Sequence, residues 1–180
     1  MYLSTSKKKG LDSCEIDAAI KSHSYSSPHF IGVFSWDTVP LKISRKSFSL
    51  VCNVSPSYLK GSHWFSIFVH KGEMHIFDSL AIISQLIKKS RLEKLGQNLR
   101  LNIFINKKRV QSKKSDVCGY YSIAYIIMRS KGYSTAHFLS FFSSKFREND
   151  ALVKENVMEF LHASKKIRSL CYWRYLLQCS

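Results

Sequence analysis

This chain has no apolar stretch long enough to span a membrane, and its first residues hold no hydrophobic core of the kind found in a secretory signal. Neither a membrane helix nor an export leader is therefore expected. No Cys-x-x-Cys pair occurs, so the common zinc spacing is missing and no metal is expected. The five cysteines are odd in number and scattered. That argues against a disulfide scaffold and for a reducing intracellular setting. Internal repeats and long low-complexity tracts are absent. Acids are scarce: 12 Asp and Glu face 28 Lys and Arg, for a net charge of +16.

What is present suits one folded domain spanning 1–180. The length supports a substantial core, and a content of 45% hydrophobic and 13% aromatic residues agrees with a packed protein. Apolar spacing predicts a helix over Asp12–Ser22, with Ile16, Ala19 and Ile20 on one face. Strands follow at Phe30–Phe34 and Phe48–Asn53. His63–His70 and Met74–Asp78 read as a hairpin turning at Lys71-Gly72. Ile82, Ile83, Leu86 and Ile87 mark a helix ending by Gly96. Leu101–Ile105 reads as a strand, and the run after Cys118 to Met128 as a helix. Phe138–Phe146 reads as a short helix. A last helix is expected from Ala151 to about Ala163, capped by Asn149-Asp150, with Val153, Val157, Phe160 and Leu161 inward. The expected class is α+β, a sheet packed on helices with the Cys118 helix buried against it.

The chemistry-bearing residues come in the order His63, Asp78, Gln111, Cys118. A thiol is mostly protonated near neutral pH; a neighbouring His and a helix N-terminus both favour the thiolate. Ser115 or Asp116 can cap the helix and place Cys118 in its first turn. A two-residue turn at Lys71-Gly72 sets Phe65 opposite Asp78, with His63 diagonal to the acid on the same face. That diagonal is roughly 7–8 Å between backbones, within reach of a carboxylate and an imidazole. Asp78 would fix the His63 tautomer and leave the other nitrogen for Cys118. Gln111 could fold back beside the sulfur and share an oxyanion with the Cys118 backbone N–H. Gly119 would leave room for a substrate backbone. Trp64 is expected in the core, in the cleft wall, or in both. The other cysteines (Cys14, Cys52, Cys171 and Cys179) read as buried and inert.

With these residues in view the chain resembles the adenovirus-type endopeptidases, the adenain family of cysteine proteases. These are related in fold to the proteases of ubiquitin-like modifiers. The resemblance rests on His29–Phe34 with Pro40 after it, Ser49–Asn53 followed by Gly61-Ser-His63-Trp64, Ile76-Phe77-Asp78, and Val110-Gln111 through Cys118-Gly119. Weaker echoes lie at Glu155–Leu161 and Ile167–Ser169. It implies the papain-like fold of that family, a Cys118–His63–Asp78 mechanism with a Gln111 oxyanion hole, and cleavage of viral precursor structural or core proteins. Gly-containing sites fit the narrow cleft it implies. A setting in the host nucleus and virion follows from the same resemblance. In the family a short peptide activates through a disulfide, but Gln97–Asn102 holds no cysteine. That leaves a peptide held non-covalently, one held through a different cysteine, or no activator.

The basic excess is clustered. Lys107, Lys108, Arg109, Lys113 and Lys114 surround Gln111; Lys88, Lys89 and Arg91 form a second group; Lys165, Lys166 and Arg168 form a third. A polyanion partner is expected, and the resemblance names DNA as a cofactor of that family. Two other functions fit the sequence: a protease for ubiquitin-like modifiers, and a basic nucleic-acid-binding protein on a degenerate protease fold. The complete His63, Asp78, Gln111 and Cys118 set argues against the last.

Overall fold

Strand Trp64–His70 is buried along nearly its whole length, because it carries apolar side chains to both faces. A strand of that kind needs cover on two sides, and the rest of the chain supplies it. The computed structural model describes residues 10–178 except Lys89; over 163–178 it describes only the helical backbone. In chain order the elements are α1 (Ser13–Ser22), β1 (Phe30–Ser35), β2 (Phe48–Asn53), β3 (Trp64–His70), β4 (Glu73–Phe77), α2 (Ser84–Ile87), α3 (Arg91–Asn98), β5 (Asn102–Ile105), α4 (Cys118–Ser130), α5 (Thr135–Ser140) and α6 (Phe146–Gln178). The strands form one mixed sheet in sequence order. β3 is antiparallel to β2 and β4, while the outer pairs β1–β2 and β4–β5 are parallel.

One face of the sheet packs on α1, α4 and α6, through Val51, Phe68 and Phe77 against Ile16, Ile20, Tyr121, Tyr125, Val153 and Val157. The other packs on α2 and α3, through Leu50, Ile67, Met74 and Ile76 against Ile87, Leu92 and Leu95. Where α4 crosses β3, two small residues meet: the Ser66 hydroxyl donates to the Ser122 carbonyl at 3.2 Å. This is the expected α+β arrangement, with the Cys118 helix buried against the sheet.

The α1 prediction holds in detail. Asp12 caps it and exchanges hydrogen bonds with Glu15 in a capping box. The β3–β4 hairpin also turns as expected. Lys71 and Gly72 take positive φ of 50° and 79°, and His70 pairs with Glu73. The register runs to Ser66 opposite Phe77 and so points Phe65 at Asp78.

Three helix predictions need correction. The single helix expected to end by Gly96 is two, because Ser90 interrupts it and caps α3 through the N–H groups of Leu92 and Glu93. Gly96 does not stop α3. A Cβ there would lie 2.7 Å from the Ile103 side chain, so the glycine lets α3 lie close on β5. The helix expected over Phe138–Phe146 starts earlier, capped by Ser134, and ends at Ser140. The last helix begins at Phe146 and extends to Gln178. Asn149 and Asp150 lie inside it, facing inward. The Asn149 amide donates to Val110 O at 2.9 Å and Ser143 O at 3.0 Å. Asp150 accepts from the Tyr121 hydroxyl at 3.0 Å and from Ser112 N. Polar residues that look like caps are here buried tethers for the segment before Cys118.

Asn149→Ala removes those bonds and leaves Val110 O with the Tyr121 hydroxyl alone. It should lower stability by about 1–3 kcal/mol in urea unfolding, whereas Leu152→Ala on the exposed face of α6 should change it by less than about 0.5 kcal/mol. Equal effects of the two would contradict this role for Asn149.

Candidate active site

The edge of the hairpin sets His63 and Asp78 side by side. The His63 carbonyl accepts from Val54 N at 3.0 Å, which extends the β2–β3 pairing to the histidine. Asp78 follows β4 directly, and Asn106 clamps its backbone: Asp78 N donates to Asn106 Oδ1 at 2.7 Å, and Asn106 Nδ2 donates to Asp78 O at 2.8 Å. The His63 Nε2–Asp78 Oδ1 distance is 2.6 Å, and both side chains are buried. The turn after Asp78 folds back so that Leu80 N donates to Oδ1 and the N–H groups of Ile82 and Ile83 donate to Oδ2. Burial alone would raise the Asp78 pKa. The hydrogen bond and charge of His63, with the N–H groups of Ile82 and Leu80, hold it below the usual carboxylate range.

Cys118 opens α4 and is buried, and Trp64 N donates to its Sγ at 3.5 Å. With Nε2 on Asp78, Nδ1 is the nitrogen left for the thiol. Burial pulls the His63 pKa down, but hydrogen bonds to Asp78 and Cys118, and their charges, outweigh it and raise His63 to about 9. Such a set places a basic imidazole, oriented by a carboxylate, beside a thiol.

The helix start differs from expectation. Its N-cap is Val117, with no side-chain cap. Asp116 instead accepts from Gly10 N at 3.1 Å, and the Ser115 hydroxyl donates to Ser112 O at 3.0 Å. Gln111 is buried, with Oε1 2.6 Å from the Ser79 hydroxyl and Nε2 on Ser115 O and Oγ at 3.0 and 3.2 Å. Gly119 has a packing reason in place of the expected open space. A Cβ there would meet Leu11 at 3.1 Å, Ile16 at 3.2 Å and Trp64 at 3.4 Å. The N-terminal segment covers it, and Trp64 Nε1 donates to Leu11 O at 3.0 Å. Trp64 takes the first of its expected places, in the core. It packs on the core and also lines a groove of about 560 Å³ with Gly10, Asp12, Asn53, Leu59 and Gly61.

The basic residues divide by environment. Lys107, Lys113 and Lys114 are exposed and, among the described residues, enter no ion pair. Two expected phosphate ligands are engaged within the fold: Lys108 donates to the carbonyls of Leu139, within α5, and Phe142, just beyond it, and the Arg109 guanidinium lies 3.9 Å from the Phe146 ring centroid. Arg91 donates to Val39 O, and Lys88 is exposed after α2. Lys89, Cys179 and the side chains of Lys165, Lys166, Arg168 and Cys171 lie outside the described residues. Of the cysteines read as inert, Cys52 is buried but Cys14 is exposed. Among the described residues no group of three or more His, Cys, Asp or Glu is placed to hold a metal ion.

Sequence reasoning missed Asn106, Ser79 and Asn53. Asn53 Oδ1 accepts from Ser55 N and Ser62 N and so shapes the loop that delivers His63. A polar residue at the end of one predicted strand, and another directly after a second, was the available signal for Asn53 and Asn106; Ser79 carried none.

Solved structures share this architecture. The ASFV pS273R protease matches with a TM-score of 0.55 at 19% identity, over 89% of this chain and 68% of that one. The SUMO protease Ulp1, in a form with its catalytic cysteine oxidised to a sulfinic acid, matches with 0.53 at 15%, over 87% and 81%. The central domain of the Lpg1148 protein from Legionella pneumophila matches with 0.53 at 14%, over 88% and 99%. No family model and no curated protein sequence matches this chain. It has the fold of the pS273R and Ulp1 cysteine proteases. That is the fold the adenain resemblance implied.

The folded protein holds the His63 proton more tightly than an unfolded chain, whose histidine titrates near 6.5. The stabilisation this gives is complete below about 6.5 and is lost as pH rises through about 9. The ring should titrate near 9 by NMR, and lower in Asp78→Asn, which removes the negative partner. A midpoint unmoved by Asp78→Asn would contradict this account.

Proposed function

We propose that this protein is a cysteine endopeptidase with Cys118 as nucleophile, His63 as general base and acid, and Asp78 as the group that orients His63. The observation that carries the reading is the buried sequence of contacts from Asp78 through His63 to Cys118, on a fold shared with two cysteine proteases. The Cys118 sulfur attacks the scissile carbonyl carbon and His63 holds the thiol proton. As the tetrahedral intermediate collapses, His63 gives that proton to the leaving amine. Water, deprotonated by His63, then cleaves the thioester and restores the thiol. The Cys118 N–H, at a helix start with no side-chain cap, and the Gln111 amide are assigned to the oxyanion. Both Nε2 contacts of Gln111 go to a single residue, Ser115. One shared hydrogen can serve them and leave the second for the oxyanion.

The proposed substrates are viral precursor structural or core proteins, cut at Gly-containing sites, in the host nucleus and virion. The adenain resemblance supports this reading. A second reading, a protease for ubiquitin-like modifiers, is favoured by the Ulp1 match. Cleavage of a ubiquitin-like C-terminal tail compared with a short Gly-containing precursor peptide separates the two. DNA is proposed as a partner through Lys107, Lys113 and Lys114, and any activating peptide would bind non-covalently.

Cys118→Ala should abolish peptide cleavage with the fold intact, and His63→Ala should be nearly as damaging. Gln111→Ala should lower turnover roughly 100- to 1,000-fold. Cleavage by a clean Cys118→Ala preparation would sink the mechanism. For the polyanion, affinity for unrelated DNA duplexes should fall steeply with salt. Replacing Lys107, Lys113 and Lys114 with Gln should reduce the log–log salt slope by roughly one per lysine that touches a phosphate. An unchanged slope removes these lysines from the interface, and binding that ignores salt rejects the polyanion.

A further inference from the structure

We propose that Ser79 is the positioning residue of the oxyanion donor. It fixes which end of the Gln111 amide faces the reaction, and it couples that amide to the His63–Asp78 pair. This rests on the cysteine-protease reading above.

The two ends of a glutamine amide have nearly the same shape, so only their partners decide which points where. Here the partners leave one choice. Ser115 O is a pure acceptor, so the atom 3.0 Å from it must be the donor Nε2. The Ser115 hydroxyl sends its hydrogen to Ser112 O, so its oxygen also accepts from Nε2. Oε1 is therefore the end that meets the Ser79 hydroxyl at 2.6 Å, and that hydroxyl must donate. A hydrogen bond received at Oε1 polarises the amide and strengthens its N–H as a donor. The Ser79 backbone acts on the same segment, since its carbonyl accepts from Val110 N at 2.9 Å and Gln111 N at 3.0 Å.

Both side chains are only 1% exposed, so water has little access to replace a lost hydroxyl. Ser79 follows Asp78 directly. One dipeptide therefore holds both halves of the site: the Asp78 carboxylate sets the His63 ring, and Ser79 sets Gln111. A displacement of this turn would move proton transfer and oxyanion binding together.

The test uses the full chain, with an acetyl-Leu-Arg-Gly-Gly coumarylamide as substrate probe and iodoacetamide as thiol probe. Alkylation needs the Cys118 thiolate but develops no oxyanion. Ser79→Ala should lower kcat roughly 10- to 100-fold with KM unchanged. Its iodoacetamide rate at Cys118 should equal wild type, and Ser79→Thr should recover most of the turnover. In a Gln111→Ala background Ser79→Ala should add no further loss. The proposal is overturned if Ser79→Ala turns over normally, if it loses the same factor without Gln111, or if alkylation falls in step with kcat. Should Ser79→Ala fail to fold, Ser79→Cys, similar in size but a weak donor, should show the same loss of kcat; normal turnover there also overturns it. A wild-type protein that cleaves no Gly-containing peptide, and whose Cys118 reacts with iodoacetamide no faster than exposed Cys14, would reject the protease reading itself, and this assignment with it.

Discussion

Everything at this site depends on keeping one carboxylate charged where water has almost no access. Asp78 is fully buried, and an ionised carboxylate left unpaired in such a place costs several kcal/mol. The fold answers with the His63 ring and with the N–H groups of Leu80, Ile82 and Ile83. Those N–H groups exist as donors only because the chain turns sharply after β4 before entering α2. Ala81 takes a positive φ of 54° in that turn, an uncommon conformation for a residue with a Cβ. Asn106 adds two backbone bonds where the parallel β4–β5 ladder runs out. The acid is thus held by the sheet edge, the turn and the base together, and the base takes its orientation from the acid.

How much of this could be read from the chain follows from the range of the forces involved. The relation between His63 and Asp78 is local. It needs a hairpin with a two-residue turn, and Lys71-Gly72 specifies one. Helix α1 was equally legible, because Asp12 and Glu15 form a cap within four residues. The Oε1 of Gln111, with Gly119, Asn149 and Asp150, answers to partners far away in sequence, which no local pattern states. Gly119 looked like a gap for substrate, but Leu11 and Ile16 lie over it. Asn149 and Asp150 have the composition of a cap. Tyr121 and the Val110–Ser112 segment use them as buried hydrogen-bond partners inside α6.

The basic loop shows the same competition between local chemistry and tertiary use. Counted in the sequence, Lys107 through Lys114 is a uniform patch. In the fold, Lys108 reaches carbonyl groups just beyond and within α5, where a cation suits a helix C-terminus. Arg109 sits over the Phe146 ring at the start of α6. Two of the five cations therefore brace the loop that carries Gln111 against the helices. Lys107, Lys113 and Lys114 are exposed and enter no ion pair among the described residues. The loop that carries Gln111 is thus tied to the helices by two of the cations that surround it.

The start of α4 completes the argument. Ser115 and Asp116 have the side chains to cap it, and a conventional cap would have stabilised the helix by about 1 kcal/mol. Both are turned elsewhere, Asp116 to the N-terminal segment and Ser115 to Gln111 and Ser112. A capping oxygen would compete for first-turn N–H groups and place partial negative charge close to the sulfur. Leaving the cap out keeps the positive end of the helix directed at Cys118. The forgone cap is small beside the several kcal/mol that donors to an oxyanion contribute to a barrier. A helix start that looks underbuilt for stability is therefore consistent with one that leaves its first-turn N–H groups open beside Cys118.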